Sequence, residues 1–441
     1  MIKSNLFSSF NTSSAKAYKQ KIQMDLKGAD YNETLLTNTL EGITIQPFYH
    51  KETHKSLKIP LVETKIKICQ TIFINDENIV NGICKEALSK GATSIRFRAN
   101  KKFDFKTVFK DLPNTVDYLV FCNFNDINFF NELSVFSNNT KIKIIFDPIN
   151  NFAKDGNWFE SLTDDLNSQT TKKTTIGING SLYQNAGANI VQQIAYSLAH
   201  VNEYLNNNFT NDFIFTFAIG SNYFFEISKI RAFRYLIKKL LNEYKVNNKY
   251  AIILEPTNRN KTLYDYNVNL LRTTTECMSA MLSGADYISN TPYDAIYHKA
   301  NEFGTRIARN QLLVLKEESY FNKENNIAKG SYYIEQITYE LADKALNLFK
   351  DIEKNSGFIA QLQHGIIQRK ITESANKEQA LFNNGELILL GTNKYPNEND
   401  KMKDDLELYP FVKTKPRKTS IKPIIPRRLS EKIEQERLKT E

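Results

Sequence analysis

Long apolar runs are missing from this 441-residue sequence; nothing approaches the roughly 18 residues that a membrane helix needs. The stretch Met1–Gln23 is polar and rich in Ser, Asn and Lys, with Leu6, Phe7 and Phe10 its only clustered large apolar residues. It offers no core of signal-peptide type, and the expectation is a cytoplasmic chain. Cysteine is scarce: Cys69, Cys84, Cys122 and Cys277 form no CxxC, which argues against a disulfide framework and a zinc site and leaves four reduced thiols in or near a core. The signatures HExxH, GxSxG, GxxxxGK[ST] and GxGxxG are all absent. Metalloprotease, serine-hydrolase and P-loop chemistry lose their support, and a dinucleotide fold is weakened.

The balance of charge is also uneven. The net charge is +9, but residues 401–441 hold twelve Lys/Arg against seven Asp/Glu, so that segment alone carries +5. A nucleic-acid-binding domain would need a basic face interleaved with aromatics, whereas this is a basic tail on a nearly neutral body.

What remains is an ordinary globular composition, 41% hydrophobic and 24% charged. Residues 1–60 read as an extended polar arm. From about 61 to 385, short β-branched or aromatic runs alternate with helical periodicity. The runs are Thr93–Arg98, Tyr118–Cys122, Ile142–Phe146, Thr174–Ile178, Phe213–Ile219, Ala251–Leu254 and Ala285–Ser289. Their lengths suit buried parallel strands. Between them, sets such as Ile190, Ile194, Leu198, Val201 and Leu205 fall on one helix face, as do Ile337, Leu341, Ala345, Leu348 and Ile352. An eighth strand is expected near Ser331–Gln336. Repeated β-then-α order with crossovers of about 30 residues predicts a (β/α)8 TIM-type barrel, with a doubly wound open sheet as the alternative. Residues 386–441 read as a compact turn, a proline-bearing linker and a basic tail that ends in a short charged helix.

In such a barrel, chemistry sits at the C-terminal strand ends. Here those positions hold Asn123, Asp147, Asn179, Asn222, Glu255 and Asn290, of which only Asp147 and Glu255 ionise. The five histidines, His50, His54, His200, His298 and His364, lie in the arm or in helical stretches, and none falls at a strand end. The expectation for each is a surface or helix histidine rather than an acid–base group. Arg306 and Arg309 share a helix face and suit structural ion pairs better than anion capture.

Several runs, taken in order, resemble one family. They are LEGITIQPFY (Leu40–Tyr49), NGSLYQNAGA (Asn179–Ala188), IGSNYFFEISKIRAFR (Ile219–Arg234) and RTTTECMSAMLSGADYISNTPYD (Arg272–Asp294). RIARNQLLVLKEES (Arg306–Ser319), KGSYYIEQIT (Lys329–Thr338) and GTNKYPNE (Gly391–Glu398) follow. The ordered set resembles the adenosylcobalamin-dependent acyl-CoA mutases, methylmalonyl-CoA mutase in particular. The resemblance implies a barrel that holds a CoA thioester beneath a separate cobalamin domain, with the cofactor supplying the radical chemistry.

The departures qualify what is implied. No histidine has an Asp two residues before it, so the cobalt-binding DxHxxG motif is missing and no cobalamin-binding domain is expected. Ser181 and Leu182 stand where catalytic members carry a Tyr-His pair, and Asn185 replaces a glutamate that faces the cofactor. The RQYAGF-type loop after the arm is absent, and DPINNFAKDGNWF replaces an acyl-contacting segment. No catalytic or metal-ligating residue is therefore expected. Glu276 and Cys277 match positions that face the cofactor in catalytic barrels, and Arg306, Arg309 and Glu318 match a family-wide helix. The resemblance implies a small, non-catalytic subunit of a heterodimeric mutase. Its large partner would hold adenosylcobalamin and the CoA thioester, and the Lys27–Tyr49 part of the arm would wrap around that partner. A standalone acyl-CoA-binding barrel and the substrate half of a split mutase remain open.

Overall fold

The computed structural model describes residues 8–60, 65–167, 174–324, 326–413 and 416–441. Eight parallel strands close into a barrel: β1 (Lys67–Phe73), β2 (Ser94–Ala99), β3 (Asp117–Cys122), β4 (Lys141–Phe146), β5 (Thr174–Asn179), β6 (Phe213–Ile219), β7 (Tyr250–Pro256) and β8 (Tyr287–Ile288). Closure is made by β8, which pairs with β7 on one side and with β1 on the other (Tyr287↔Lys67, Ile288↔Ile68). The TIM-type expectation holds, and the open sheet is excluded.

The eighth strand is not where the sequence placed it. Ser331–Gln336 is the start of the helix Tyr332–Lys354, whose buried face Ile334, Ile337 and Leu341 continues with helical period. The strand that was missed is β1. Its sequence KICQTIF mixes polar and apolar residues, because Thr71 bonds Arg96 and Ser289 instead of packing.

The first four βα turns share one device. Asp76, Asp104, Asp126 and Asp147 each begin a helix, and their carboxylates accept backbone N–H bonds of its first turn. Such caps stabilise a helix by about 1 kcal/mol each. The helix Ile190–Asn206 opens with a capping box of Asn189 and Gln192. Two cores lie outside the strands. One joins the helix-facing sides of β1–β4 to Val80, Phe109, Phe130 and Leu133. The other joins the second half-barrel to the long helices Ile190–Asn206, Tyr223–Glu243 and Tyr332–Lys354.

The arm is tied down in part. Its short ribbon pairs Thr37–Asn38 with Thr44–Ile45 and sinks Ile43 into the second core. The Leu40 carbonyl accepts from Asn189 Nδ2 at 3.2 Å. Further on, the Lys55 N–H donates to Gln336 Oε1 at 2.7 Å and His54 faces Glu335 at 3.4 Å. The helix Ala15–Asp25, by contrast, buries no residue. At the other end the expected charged helix runs Glu431–Thr440 and lies against the barrel. Among the described residues no helix is long and apolar enough to cross a membrane.

Candidate functional site: a filled barrel and its mouth

Inward-facing side chains decide what a barrel can hold. Cys69, Leu119, Ile145, Ile214, Ile253 and Tyr287 form an apolar cluster of their own, with Phe121 and Ala251 against it. These residues alternate along the strands with the helix-facing ones, so they fill the axis. Packing is tight enough that β5 needs glycine there: a Cβ on Gly177 would lie 2.4 Å from Ile145 Cγ2. Below this layer Lys67 pairs with Asp117, whose carboxylate also accepts from Tyr287 Oη at 2.7 Å.

Above it sits a polar plug. Arg96 donates to Thr71 Oγ1 at 2.8 Å and to Glu255 Oε2 at 2.7 Å, Arg98 reaches the same carboxylate at 3.4 Å, and Thr71 bonds Ser289 at 2.8 Å. Burial alone would raise the Glu255 carboxyl, but the two guanidiniums over it bring it below the usual range. Burial and the Arg96 charge push Arg98 down to about 10. Glu255 is thus placed at the mouth as expected, but it is fully engaged as a counter-ion.

The other strand-end candidates also serve the scaffold. Asp147 caps the helix Pro148–Asp155 and receives Tyr204 Oη at 2.7 Å and His200 Nε2 at 3.1 Å. His200 is wholly buried (0% exposed), with Tyr183 Oη 2.9 Å from its Nδ1. The surface or helix role expected for this residue therefore understates it: it bridges β4 to two helices from the interior. Asn123 bonds Asn100, Asn290 bonds the Ala308 carbonyl and Gln311, and Asn179 and Asn222 stand at helix starts. Arg306 forms an ion pair as expected, with Glu302 at 3.5 Å, whereas Arg309 is buried and donates to the neutral Gln70 amide.

Glu276 and Cys277 lie on the helix Val268–Leu282, both buried. The Glu276 oxygens accept from Lys261 Nζ at 2.8 and 3.0 Å and from Asn260 Nδ2 at 2.6 Å. Burial pushes the Glu276 carboxyl up and the Lys261 ammonium down, and their mutual attraction opposes both shifts. Burial also raises the Cys277 thiol. A second interior pair, Lys229 and Glu226, lies close by, with Gln184, Gln193 and the Ala218 carbonyl around the ammonium. Leu182 packs in the core, and Asn185 Oδ1 accepts from Thr257 Oγ1 and the Asn258 N–H, each at 2.8 Å. Lys261 was missed because it sits in a loop with no periodicity; the clue was Glu276 on a buried helix face, since an interior carboxylate needs a cation. Among the described residues no group of three His, Cys, Asp or Glu could hold a metal. One surface hollow is lined by Lys154, Val412, Pro416, Arg417, Pro423 and Ile425, and another by Lys58, Tyr235, Lys238 and Lys239.

Comparison with known proteins matches this sequence to a family. The methylmalonyl-CoA mutase family model covers residues 157–439. The methylmalonyl-CoA mutase small subunit of Porphyromonas gingivalis (strain ATCC BAA-308 / W83) is 31% identical over 92% of this chain and 73% of its own length. The large subunit from the same organism is 31% identical over 54% of this chain, and the methylmalonyl-CoA mutase of Rhizobium meliloti (strain 1021) is 34% identical over 54%. This chain spans only 35% of either protein. Among solved structures, a dihydropteroate synthase from Coxiella burnetii aligns with 65% of this chain and 99% of its own at a TM-score of 0.34 and 11% identity. With the family model matched over most of the chain and a relative matched along nearly all of it, the chain belongs to the methylmalonyl-CoA mutase family.

Proposed function

We propose that this chain is the small, non-catalytic subunit of a heterodimeric methylmalonyl-CoA mutase. The interconversion of methylmalonyl-CoA and succinyl-CoA then takes place in a large partner subunit that holds both adenosylcobalamin and the CoA thioester. The observation that carries this reading is the filled axis. A pantetheine ester needs a channel, whereas here the bulky side chains of Leu119, Ile145, Ile214, Ile253 and Tyr287 occupy the axis under the Arg96–Glu255 plug.

The mouth does not suit the family's cofactor either. The Glu276 carboxylate is committed to Lys261 and Asn260, and Leu182 offers no proton. We therefore derive no step of the reaction on this chain. Glu276 and Cys277 act here as interior packing and charge-pairing residues, although their counterparts in a catalytic barrel would face the cofactor.

Residues 1–60 act as the docking arm, 61–385 as the barrel and 386–441 as its C-terminal extension. The helix Ala15–Asp25 supports the docking role. It buries nothing on its own barrel and presents Tyr18 and Met24 to solvent, the latter 75% exposed. A helix of eleven residues is marginal by itself, so burial against a partner would supply most of its stability.

The test is co-expression with the large subunit. The expected result is a one-to-one complex whose turnover is unchanged when Lys261 and Glu276 are replaced together by methionine. Recovery of this chain alone, or a complex whose turnover collapses in that double variant while its assembly persists, would overturn the proposal.

A further inference from the structure

We propose that residues 416–441 form a strap that shuts the C-terminal face of the barrel, with the buried Arg428–Glu434 pair as its latch. This inference rests on the strap's own contacts and does not depend on the identity of any partner.

The strap crosses the loops that follow β4, β5 and β7. Its first part is bound by main chain to the end of the helix Pro148–Asp155. The Ser420 and Ile421 N–H groups donate to the Gly156 carbonyl at 3.0 and 3.1 Å, and the Ile424 N–H donates to the Ala153 carbonyl at 2.8 Å. Gly156 has φ +80°, and a Cβ there would lie 2.6 Å from the Ile421 carbonyl oxygen. Glycine is therefore needed both for the backbone turn and for the strap's approach. The strap then passes Asn185, whose carbonyl accepts from the Arg427 N–H at 2.9 Å, and Arg259, whose carbonyl accepts from the Leu429 N–H at 2.9 Å. Arg259 answers by donating to the Arg427 carbonyl at 3.0 Å.

The latch comes next. Arg428 donates to the Lys261 carbonyl at 3.0 Å and lies 2.6 Å from Glu434. Glu434 also accepts from Ser430 Oγ at 2.7 Å and from the Leu263 N–H at 2.8 Å. The last residue, Glu441, accepts from Tyr264 Oη and from the Met402 and Lys403 N–H groups. The latch thus grips the backbone of the residue whose side chain holds Glu276. Anything approaching Lys261 and Glu276 from this face must first lift the strap. Because its bonds follow one another along a single stretch of chain, extended up to Ser430 and helical after it, it opens as one unit.

The experiment uses the full chain, alone or in complex, with two variants placed at opposite ends of the strap. Hydrogen exchange is read at the amides of Leu263, Ile424, Arg427 and Leu429, and access to Lys261 is read by amine acylation and mass spectrometry. In the wild type, the four amides exchange as slowly as Ile253 in β7, and Lys261 stays unlabelled while surface lysines react. In Glu434→Gln, and separately in Gly156→Ala, all four amides exchange together at least tenfold faster, Lys261 becomes labelled, and Ile253 is unchanged. Three results would overturn the proposal: fast exchange of the four amides in the wild type; acceleration confined to the mutated end; or strap amides that open while Lys261 stays unlabelled.

Discussion

Removing Glu276 separates a structural from a cofactor-facing reading of the mouth. In the structure its two oxygens hold the Lys261 ammonium, and the pair is almost completely buried, at 4% and 1% side-chain exposure. Glu276→Ala leaves that ammonium without a counter-ion in a desolvated site, which costs about 3–5 kcal/mol. In a chain of this size each kcal/mol moves the melting temperature by roughly 2 °C, so the fall should be roughly 6–10 °C. Replacing both residues, Lys261→Met with Glu276→Met, removes the unpaired charge and keeps the volume. Such replacements are neutral or stabilising by about 1–4 kcal/mol, so the double variant should melt no lower than the wild type. Scanning calorimetry on the two variants, with turnover of the complex measured alongside, decides between the readings. A Glu276→Ala chain that melts within about 1 °C of the wild type while its complex loses turnover would refute the reasoning, since that carboxylate would then be acting on a cofactor rather than on Lys261.

Other outcomes follow from the same geometry. Burial and the nearby Glu203 carboxylate raise Glu353 to about 7, so its contribution to stability is complete below its ordinary range and is lost as the pH rises through about 7. Glu353→Gln should therefore stabilise the chain at pH 8 by on the order of 1–2 kcal/mol but not at pH 4, and equal denaturation midpoints for the two proteins at pH 8 would contradict this. His200→Phe strips Tyr183 Oη of its His200 bond and leaves Asp147 with only Tyr204 and its capped N–H, and should cost about 1–3 kcal/mol, read as a lower urea midpoint at unchanged slope. Met24→Ala should weaken recovery of the complex while leaving the melting temperature of the isolated chain in place, because that side chain is 75% exposed there. Calorimetric titration with CoA esters should show no binding to the isolated chain at millimolar ligand; clear heat release would favour an acyl-CoA-binding barrel instead.

The fold was legible where the helix-facing side of a strand is apolar. β3, β4, β6 and β7 also carry inward residues that fill the axis, whereas β2 and β5 stand out through their outward residues alone, since Arg96, Arg98 and Thr175 face inward. β1 escaped because polar residues fall on both of its sides at once: Gln70 reaches Arg309 outside the barrel and Thr71 bonds Arg96 and Ser289 within it, which breaks the continuous run expected of a buried parallel strand. Conversely, the aromatic and β-branched start of Tyr332–Lys354 imitates a strand until the spacing of Ile337 and Leu341 is weighed. At the mouth the ionisable residues could be named from the sequence, but their partners could not. Arg96 and Glu255 are 159 residues apart, and only the closed barrel brings them together. The C-terminal segment was hidden for another reason. Composition records its excess of Lys and Arg, whereas its attachment depends on main-chain groups such as the Arg427 and Leu429 N–H, which no composition reveals.

The packed axis also bears on how such a chain can change. Opening a channel would require shrinking several of Leu119, Phe121, Ile145 and Tyr287. Each truncation taken alone leaves a cavity and costs about 2–5 kcal/mol, and none yields a passage until most have been made. A path of single substitutions toward a channelled barrel therefore runs through less stable proteins that have gained nothing. A filled axis of this kind guards itself against piecemeal change, whereas substitutions on the outer surface and in the extensions meet no such barrier.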